Sequence, residues 1–370
     1  MTGKRDLKNI EPAPAMASPV LLEDLRRMIE ETRQGVAVSV NAALTMLYWR
    51  IGKRINEEIL KGARAEYGEQ IVSTLSRQLA AEYGRGFSEK SLRHMLRFAE
   101  AFPDKRIVSA LMRQLSWTHF LSIIYLQDSL QRDFYAEMCR IERWSTRTLP
   151  KKIASMLYER TALSKKPEEL ARIELDALRD DDKLTADLVF RDPYFLDFLG
   201  LTGAFQERDL ESAILREMEA FILELGAGFA FVARQKRITL DGDDFYLDLL
   251  FFHRYLRRLV AVDLKLGKFR PGHMGQMELY LRWLDKHERH EGENTPIGMI
   301  LCAGKKQEQI ELLELGISGI HVAEYLVELP PKDLLQAKLH KAIALARKRL
   351  ENGEEERIAE NVVNMLEVSE

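Results

Sequence analysis

The spacing of apolar residues changes once along this chain, and that change most limits its possible folds. From about Leu21 to Ser164, apolar residues recur three and four positions apart, which is typical of amphipathic helices. From Glu207 onward, short apolar runs with strand character alternate with helical segments. A length of 370 residues also exceeds the usual size of one domain. The sequence therefore predicts an α + α/β protein, with a helical N-terminal domain and a C-terminal mixed sheet flanked by helices.

Breaks in this pattern set the predicted domain limits. Pro12 and Pro14, with small residues around them, cannot nucleate a helix, so a flexible leader should precede the first domain. Polar residues between Lys165 and Gln206 indicate a connector, whose aromatic segment DPYFLDFLGL should attach to the second domain. The five predicted regions are a leader 1–18, a helical domain 19–165, a connector 166–206, an α/β domain 207–350 and a charged helical tail 351–370.

Composition excludes several classes of protein. Hydrophobic residues make up 46% and charged residues 31% of the chain, as in folded domains rather than disordered or collagen-like proteins. The formal net charge of −3 means that any nucleic-acid contact must come from a local basic patch. Cys139 and Cys302 fit neither a disulfide framework nor a zinc pattern, and no stretch is apolar enough to span a bilayer. We expect a cytoplasmic protein with no membrane partner.

The helical part contains a helix-turn-helix-like segment, LAAEYGRGFSEKSLRHMLRFAEAF. A first helix should end near Gly84, and Ser88 should cap a second helix that Pro103 bounds. On the second helix, three basic residues recur three and four positions apart and could contact phosphates or base edges. These residues are Lys90, Arg93 and Arg97. A solvated face of an ordinary helix bundle is an equally good interpretation.

The α/β part is predicted to hold five strands. The first three are close enough in sequence to pair as an antiparallel meander. Two more strands each follow a helix, which completes a mixed sheet with helices on its faces. The predicted strands are 229–238, 246–252, 259–266, 297–303 and 320–327, and the predicted helices are 208–225, 272–286 and 307–315.

Three charged residues lie in the most apolar of these strands. In LVAVDLKLG, Asp263 and Lys265 are two positions apart, so both side chains emerge on the same face. The preceding strand, YLDLLFF, carries Asp248, which hairpin pairing would bring close to Asp263. Burying a charge is unfavourable unless the charge is paired or binds a metal. The sequence therefore predicts either a metal site or a salt bridge at these positions.

We favour the metal site, because a salt bridge does not explain three such residues on adjacent strands. The carboxylates of Asp248 and Asp263 would hold Mg²⁺, with Mn²⁺ as an alternative. The ion would polarise a phosphate and lower the pKa of an attacking water. Lys265 would orient that water or stabilise charge on the phosphoryl oxygens.

These strands resemble the PD-(D/E)XK nuclease superfamily, whose core is a mixed sheet flanked by helices. Asp263-Leu264-Lys265 matches the (D/E)XK half of the motif. Asp248 matches the first aspartate, although Leu247 stands where the superfamily's name has proline. The resemblance implies a phosphodiester hydrolase whose metal ligands are Asp248, Asp263 and Leu264.

Two helices complete the implied site. Gln276 and Tyr280 match the Q-x-x-x-Y motif of the RecB-like branch and, being four positions apart, share one helical face. The superfamily also uses a glutamate on the helix before the sheet, and we prefer Glu211. The alternatives on that helix are Glu207, Glu217 and Glu224. The implied catalytic set is Asp248, Asp263, Lys265, Gln276, Glu211 and Tyr280.

A second resemblance covers nearly the whole chain after the leader. GFAFVARQKRI, YLDLLFFHR and LPPKDLL, together with YGRGFSEKSLRHM and LSWTHF in the helical part, are similar to the bacterial YhcG-like two-domain nuclease family. This match implies a nuclease domain behind a helical N-terminal domain that binds DNA or a partner. It leaves the natural substrate and the cellular role open.

The expected partner is nucleic acid, and DNA is favoured over RNA by both the resemblance and the helix-turn-helix outline. Basic residues at strand ends could contact phosphates, although each is equally well read as a surface charge. They are Arg234, Arg254, Arg257, Arg258, Lys268 and Arg270. The rival hypothesis is a non-catalytic DNA-binding or assembly protein that retains a nuclease fold. A homo-oligomer is left open.

Overall fold

The computed structural model describes residues 19–61, 65–201, 203–240, 242–306, 309–310, 313 and 318–348. The chain divides into two compact units between Trp117 and Thr118. The expected leader and the expected tail both lie outside the described residues. In the described part, no helix combines the length and apolar character needed to cross a membrane.

The described residues of the first unit form helices joined by short turns, with no strand among them, as predicted. Its helices are α1 (Pro19–Lys61), α2 (Ala65–Tyr83), α3 (Glu89–Ala101) and α4 (Lys105–Leu111). Ile55 of α1, Val72 of α2 and Leu92 of α3 meet in one buried cluster. This unit is therefore held together by the apolar faces of its helices.

The segment between α2 and α3 has the predicted helix end at Gly84 and the predicted cap at Ser88. Gly84 has a φ of 88°, in the left-handed region that glycine adopts without steric cost. The Ser88 side chain caps α3 by accepting a hydrogen bond from the backbone N–H of Ser91. α3 buries Leu92 and Met95 against the other helices. Any αα-hairpin has this course, so nucleic-acid binding by α3 stays a prediction.

Among its described residues, the second unit combines a series of helices with one six-stranded sheet. Its helices are α5 (Trp117–Ile123), α6 (Ser129–Glu142), α7 (Thr148–Ala154), α8 (Leu157–Arg160), α9 (Glu168–Asp181), α10 (Ala186–Val189), α11 (Glu207–Arg216), α12 (Met218–Leu225) and α13 (Pro271–His287). A further helix includes residues 332–348. Its strands are β1 (Tyr194–Phe195), β2 (Phe229–Leu240), β3 (Asp243–His253), β4 (Arg258–Lys268), β5 (Ile297–Gly304) and β6 (Ile320–Leu326).

The sheet is mixed, in the order β1-β6-β5-β4-β3-β2. β2, β3 and β4 form the predicted antiparallel meander. β5 and β6 join it in parallel, and β1 pairs in parallel with the outer side of β6. Five strands were expected, and the sixth, β1, comes from the aromatic segment that was expected to attach to this domain.

The division between units lies earlier in the chain than the expected connector. Residues 118–206 pack with the sheet because β1 belongs to it and because Arg160 and Arg191 form ion pairs with Glu224 of α12. The single helix expected over 208–225 is two helices, α11 and α12, which meet at Glu217. Gly226 ends α12 as predicted, with a φ of 127°.

One face of the sheet is covered by α13. Met277, Tyr280 and Leu284 of α13 pack there against Leu250 of β3 and Ala261 of β4. Because side chains alternate along a strand, Asp263 and Lys265 emerge on the same face as Ala261. The charged residues of β4 therefore face the side that carries α13.

Candidate active site

The two aspartates lie where β3 and β4 separate. Pairing between these strands ends at Leu249 and Val262, and the next two residues are Asp248 and Asp263. Beyond that point β3 continues along β2, while β4 continues along β5. The Leu264 N–H donates to Asp248 Oδ2, 2.8 Å away, in place of a backbone acceptor on β3. The structure therefore brings the predicted carboxylates together at a fork in the sheet.

Asp263 is an almost fully buried acid, with 2% of its surface exposed. Lys265 Nζ lies 2.8 Å from Asp263 Oδ2. Within the described part of the chain, however, this buried oxygen accepts no hydrogen bond of ordinary geometry. Burial, reinforced by the charge of Asp248 and opposed by Lys265, raises the pKa of Asp263 to about 6. Its negative charge is only partly compensated.

Asp248 is held by donors from both neighbouring strands. Gln235 Nε2 on β2 donates to Asp248 Oδ1 at 3.1 Å, while Leu264 on β4 binds the other oxygen. Burial raises the pKa of Asp248, although these two donors and Lys265 act in the opposite direction. Asp248 is thus fixed in orientation but remains short of positive charge.

Lys265 is the cation of the site. Burial by itself would lower the pKa of its ammonium group, but the carboxylates of Asp263, Asp248 and Glu207 outweigh that effect and raise it. Its side chain keeps 17% of its surface exposed. Lys265 is therefore protonated near neutral pH and reaches from a buried acid towards solvent.

The glutamate next to the site is Glu207 rather than the preferred Glu211. Glu207 Oε1 accepts a hydrogen bond from the Leu266 N–H at 3.4 Å, and its charge acts on Asp248 and Lys265. No hydrogen bond or ion pair in the described part of the structure links Glu211 to these residues. Glu211 is preferred from sequence because of its position on this helix, whereas in the structure the first residue of α11, Glu207, reaches β4.

The other two glutamates have different surroundings. Glu217 lies at the junction of α11 and α12 with 44% of its side chain exposed, 3.7 Å from Arg216. Glu224 is enclosed by Arg160 and Arg191 and also accepts a hydrogen bond from the Phe195 N–H. Glu224 therefore joins helices of the second unit rather than the site.

Gln276 and Tyr280 share one face of α13, as predicted, and bond to each other. Gln276 Nε2 donates to the Tyr280 hydroxyl at 2.6 Å, and that hydroxyl donates to the Tyr246 carbonyl at 3.1 Å. Burial raises the pKa of Tyr280, and the charges of Asp263 and Asp248 raise it further. The pair fastens α13 to β3 beside the acids, and a catalytic role for either residue stays a prediction.

Two residues beside the site were not anticipated from sequence. Gln235 is one, and it lies across from Asp248 in the pairing of β2 with β3. The predicted pairing of these strands is the signal in the sequence that could have identified it. His273 is the other, and its Nδ1 accepts a hydrogen bond from the Arg270 N–H at the start of α13. Burial lowers the pKa of His273, and the nearby Lys265 lowers it further.

The predicted basic residues fall into two groups. Arg234, Lys268 and Arg270 are exposed, and Arg234 pairs with Leu249, next to Asp248. The other three lie at the turn between β3 and β4, roughly 20 Å along the strand from the fork at 3.3 Å per residue. They are Arg254, Arg257 and Arg258. Of the six, Arg234 is the one whose strand pairing places it next to an acid.

The basic residues predicted on α3 lie along that helix in the first unit. Lys90 and Arg93 are exposed, and Arg97 is half-buried. Arg93 forms an ion pair with Glu89 at 2.7 Å, and Arg97 lies 3.5 Å from Glu100. Acidic neighbours thus offset part of this positive charge.

The donor set suits a hard divalent cation of the magnesium type. No group of three or more His, Cys, Asp or Glu side chains in the described residues is arranged to hold a metal. Mg²⁺, however, is commonly bound through one or two carboxylates, with waters and substrate phosphates completing its shell. Asp248 and Asp263 supply two carboxylates with raised pKa values, and one buried oxygen of Asp263 lacks a hydrogen bond. A cation would supply the missing positive charge.

Two family models match this chain. Residues 24–160 match the DUF1016 N-terminal domain, and residues 187–340 match the YhcG PDDEXK nuclease domain. A protein of Escherichia coli (strain K12), "Putative nuclease YhcG", is 35% identical over 343 residues. That match covers 84% of this chain and 91% of the relative.

Matches among solved structures are shorter. A repair endonuclease from Pyrococcus abyssi is 22% identical, with a TM-score of 0.24 over 35% of this chain and 50% of the other. An EndoMS–dsDNA2 complex is 18% identical, with a TM-score of 0.26 over 35% of this chain and 49% of the other. The chain spans about half the length of each of these structures.

Proposed function

Since the chain belongs to the YhcG family and carries its PDDEXK nuclease domain, we propose that it is a metal-dependent nuclease that hydrolyses phosphodiester bonds of DNA. The observation that carries the proposal is the fork between β3 and β4. Two carboxylates with raised pKa values meet there beside a protonated lysine. Perturbed acids of this kind concentrate at functional sites.

Asp248, Asp263 and the main-chain oxygen of Leu264 are the residues that would hold Mg²⁺ or Mn²⁺. A bound ion supplies positive charge that polarises the scissile phosphate and lowers the pKa of a water. Gln235 and the Leu264 N–H keep the Asp248 carboxylate in one orientation. Within the described residues, Lys265 is the one cation paired with Asp263, so the carboxylate keeps negative charge that an ion would compensate.

Lys265 would act on the substrate rather than on the protein. Its ammonium group carries a full positive charge beside Asp263 and reaches solvent. In that position it can donate to a phosphoryl oxygen or orient the attacking water, which stabilises charge developing in the transition state. Glu207, at the edge of the same site, would accept a hydrogen bond from that water or ligate a second ion.

DNA as the substrate is supported by exposed basic residues on β2 and at the end of β4, and by the outline of the first unit. Arg234, Lys268 and Arg270 would position the phosphate backbone. Lys90, Arg93 and Arg97 on α3 would add contacts from the N-terminal module, which binds DNA or a partner.

The buried, unpaired Cys139 and Cys302 suit a reducing cytoplasm.

The alternative is a non-catalytic DNA-binding or assembly protein that retains the nuclease fold. A scaffold gains nothing from a buried carboxylate whose charge is only partly compensated, because that charge costs stability. Asp248, Asp263 and Lys265 are all present and meet at one point, which favours the enzyme.

The test is cleavage of plasmid, linear and branched DNA by the full chain in Mg²⁺, Mn²⁺ and EDTA. We expect cleavage with either metal, none in EDTA, and a loss of more than about 100-fold in Asp248→Ala, because a metal ligand is removed. The matched control is Asp244→Ala, which removes an exposed carboxylate on the same strand and leaves the fork intact. Cleavage that persists in EDTA would refute the metal dependence. Loss of activity in both variants would refute the assignment of the site.

A further inference from the structure

Gln235 has a backbone conformation that is unusual for a residue inside a strand. Its φ is 44°, in the left-handed region that residues other than glycine rarely adopt. It lies between two paired positions, Arg234 with Leu249 and Lys236 with Leu247, which puts it directly across from Asp248. Conformations of this kind are unfavourable and tend to persist where the surrounding structure requires them, often at functional sites.

The side-chain alternation of both strands changes phase at this point. On β3, Leu247 and Leu250 pack into the same cluster against α13, although regular alternation would place them on opposite faces. On β2, Ala233 and Ile238 likewise pack into that one cluster. The alternation of side chains between the two faces of β2 and β3 is therefore shifted by one residue where Gln235 lies across from Asp248.

The same residue fixes one oxygen of Asp248. Gln235 Nε2 donates to Asp248 Oδ1 at 3.1 Å, and the Leu264 N–H donates to Asp248 Oδ2 at 2.8 Å. With one donor on each oxygen, the plane of the carboxylate is set by β2 on one side and by β4 on the other. The glutamine is neutral, so it orients the acid without supplying the positive charge that a metal would supply.

We propose that Gln235 is a positioning residue that holds the Asp248 carboxylate in its metal-binding orientation, with its left-handed backbone placing the side-chain amide at Oδ1. This inference rests on the proposed function, because it assigns a partner to a proposed metal ligand. Hydrogen-bond partners of this kind commonly change metal affinity or activity by about 10–100-fold.

The experiment compares three variants of the full chain. Gln235→Met keeps a side chain of similar length, and methionine is as unfavourable as glutamine in the left-handed conformation, but the hydrogen-bond donor is removed. Gln235→Gly removes the donor and also suits the left-handed backbone, so it guards against loss of fold. Thr239→Ala, which removes an exposed hydrogen bond to Asp244 on the same two strands, is the matched control.

The measurements are calorimetric titration of Mg²⁺, the Mg²⁺ dependence of kcat, KM for a DNA substrate, and thermal melting. We expect Gln235→Met and Gln235→Gly to weaken Mg²⁺ binding about 10-fold or more, with KM for DNA unchanged and kcat partly restored by excess Mg²⁺. Thermal melting checks that each variant is folded. Thr239→Ala should bind Mg²⁺ as the wild type does.

Two results separate the possible failures. If the wild type neither binds Mg²⁺ nor cleaves DNA, the proposed function fails and this inference fails with it. If the wild type does both, and folded Gln235→Gly binds Mg²⁺ with unchanged affinity, the positioning role of Gln235 is overturned while the proposed function stands.

Discussion

The half-buried Asp192 and the buried Asp263, both in the second unit, differ in how completely their charge is compensated. Asp192 accepts hydrogen bonds from Lys165 at 2.8 Å, from Lys305 at 2.7 Å and from the Glu324 N–H at 3.0 Å. Burial alone would raise the pKa of Asp192, but the two lysines outweigh it and lower that pKa. Asp263 has a single lysine and an acidic neighbour, and its pKa is raised.

Glu224 belongs with Asp192. Burial opposes its ionisation, yet Arg191 and Arg160 lower its pKa, and the Phe195 N–H adds a hydrogen bond. Asp192 and Glu224 join residues before 200 to the sheet and α12. Asp192 and Glu224 are thus each paired with two cations, whereas the acids at the fork share one lysine and lack the charge that a metal would add.

The largest expected effect on stability is at a compensated acid. Glu224→Ala would leave Arg160 and Arg191 buried without their carboxylate, so we expect the free energy of unfolding to fall by about 3–5 kcal/mol. Denaturant titration measures this change. The control is Glu217→Ala, whose exposed ion pair should contribute less than about 0.5 kcal/mol. Equal effects in the two variants would contradict the distinction between the networks.

An uncompensated acid should behave in the opposite way. At pH 7.5 without metal, we expect Asp263→Asn to raise the free energy of unfolding by about 1–3 kcal/mol, because a buried charge is removed and each unit of pKa shift is worth about 1.4 kcal/mol. Asp192→Asn should be destabilising instead, since Lys165 and Lys305 lose their partner. Thermal melting in EDTA compares the two, and destabilisation by both changes would contradict the account.

The sign of the pH dependence follows from the raised pKa of Asp263. Between pH 4 and pH 6, the folded chain holds a proton on Asp263 that the unfolded chain has released, so stability without metal falls as pH rises through this window. In Asp263→Asn that contribution to the slope should vanish. Denaturant titrations at several pH values test this, and identical slopes in the two proteins would contradict it.

The smallest expected effect concerns basic residues that already have acidic neighbours. Replacing Lys90, Arg93 and Arg97 together with alanine should weaken DNA binding and flatten its salt dependence, because fewer counterions are released. The slope of log binding constant against log salt concentration should change by less than the roughly 2.7 expected for three full phosphate contacts. Glu89 and Glu100 offset part of the positive charge. An unchanged slope in a folded variant would make α3 an ordinary bundle surface.

Most of the fold and the centre of the site could be predicted because they depend on short-range patterns. Hairpin pairing of YLDLLFF with LVAVDLKLG is enough to bring Asp248 and Asp263 together. The capping of α3 by Ser88 and the end of α12 at Gly226 likewise depend on residues close in sequence. Local chemistry determines these features, so sequence reveals them.

The remainder depends on long-range packing. Which glutamate reaches β4 depends on where α11 starts and on its break at Glu217, which helical spacing alone does not determine. The division between units depends on a two-residue strand, Tyr194–Phe195, too short to give a period. The left-handed backbone at Gln235 has no sequence signal, because glutamine does not favour that conformation.

Calorimetric titration of Mg²⁺ into Asp263→Ala and Lys265→Ala tests most directly whether the acids at the fork bind a metal. Only the carboxylate can bind the ion, so Asp263→Ala should show no binding. Lys265→Ala should bind Mg²⁺ as tightly as the wild type or more tightly, because a nearby positive charge is gone, while most cleavage is lost. If Lys265→Ala unfolds or loses Mg²⁺ binding as completely as Asp263→Ala, then Asp263 and Lys265 form a structural salt bridge and the account is wrong.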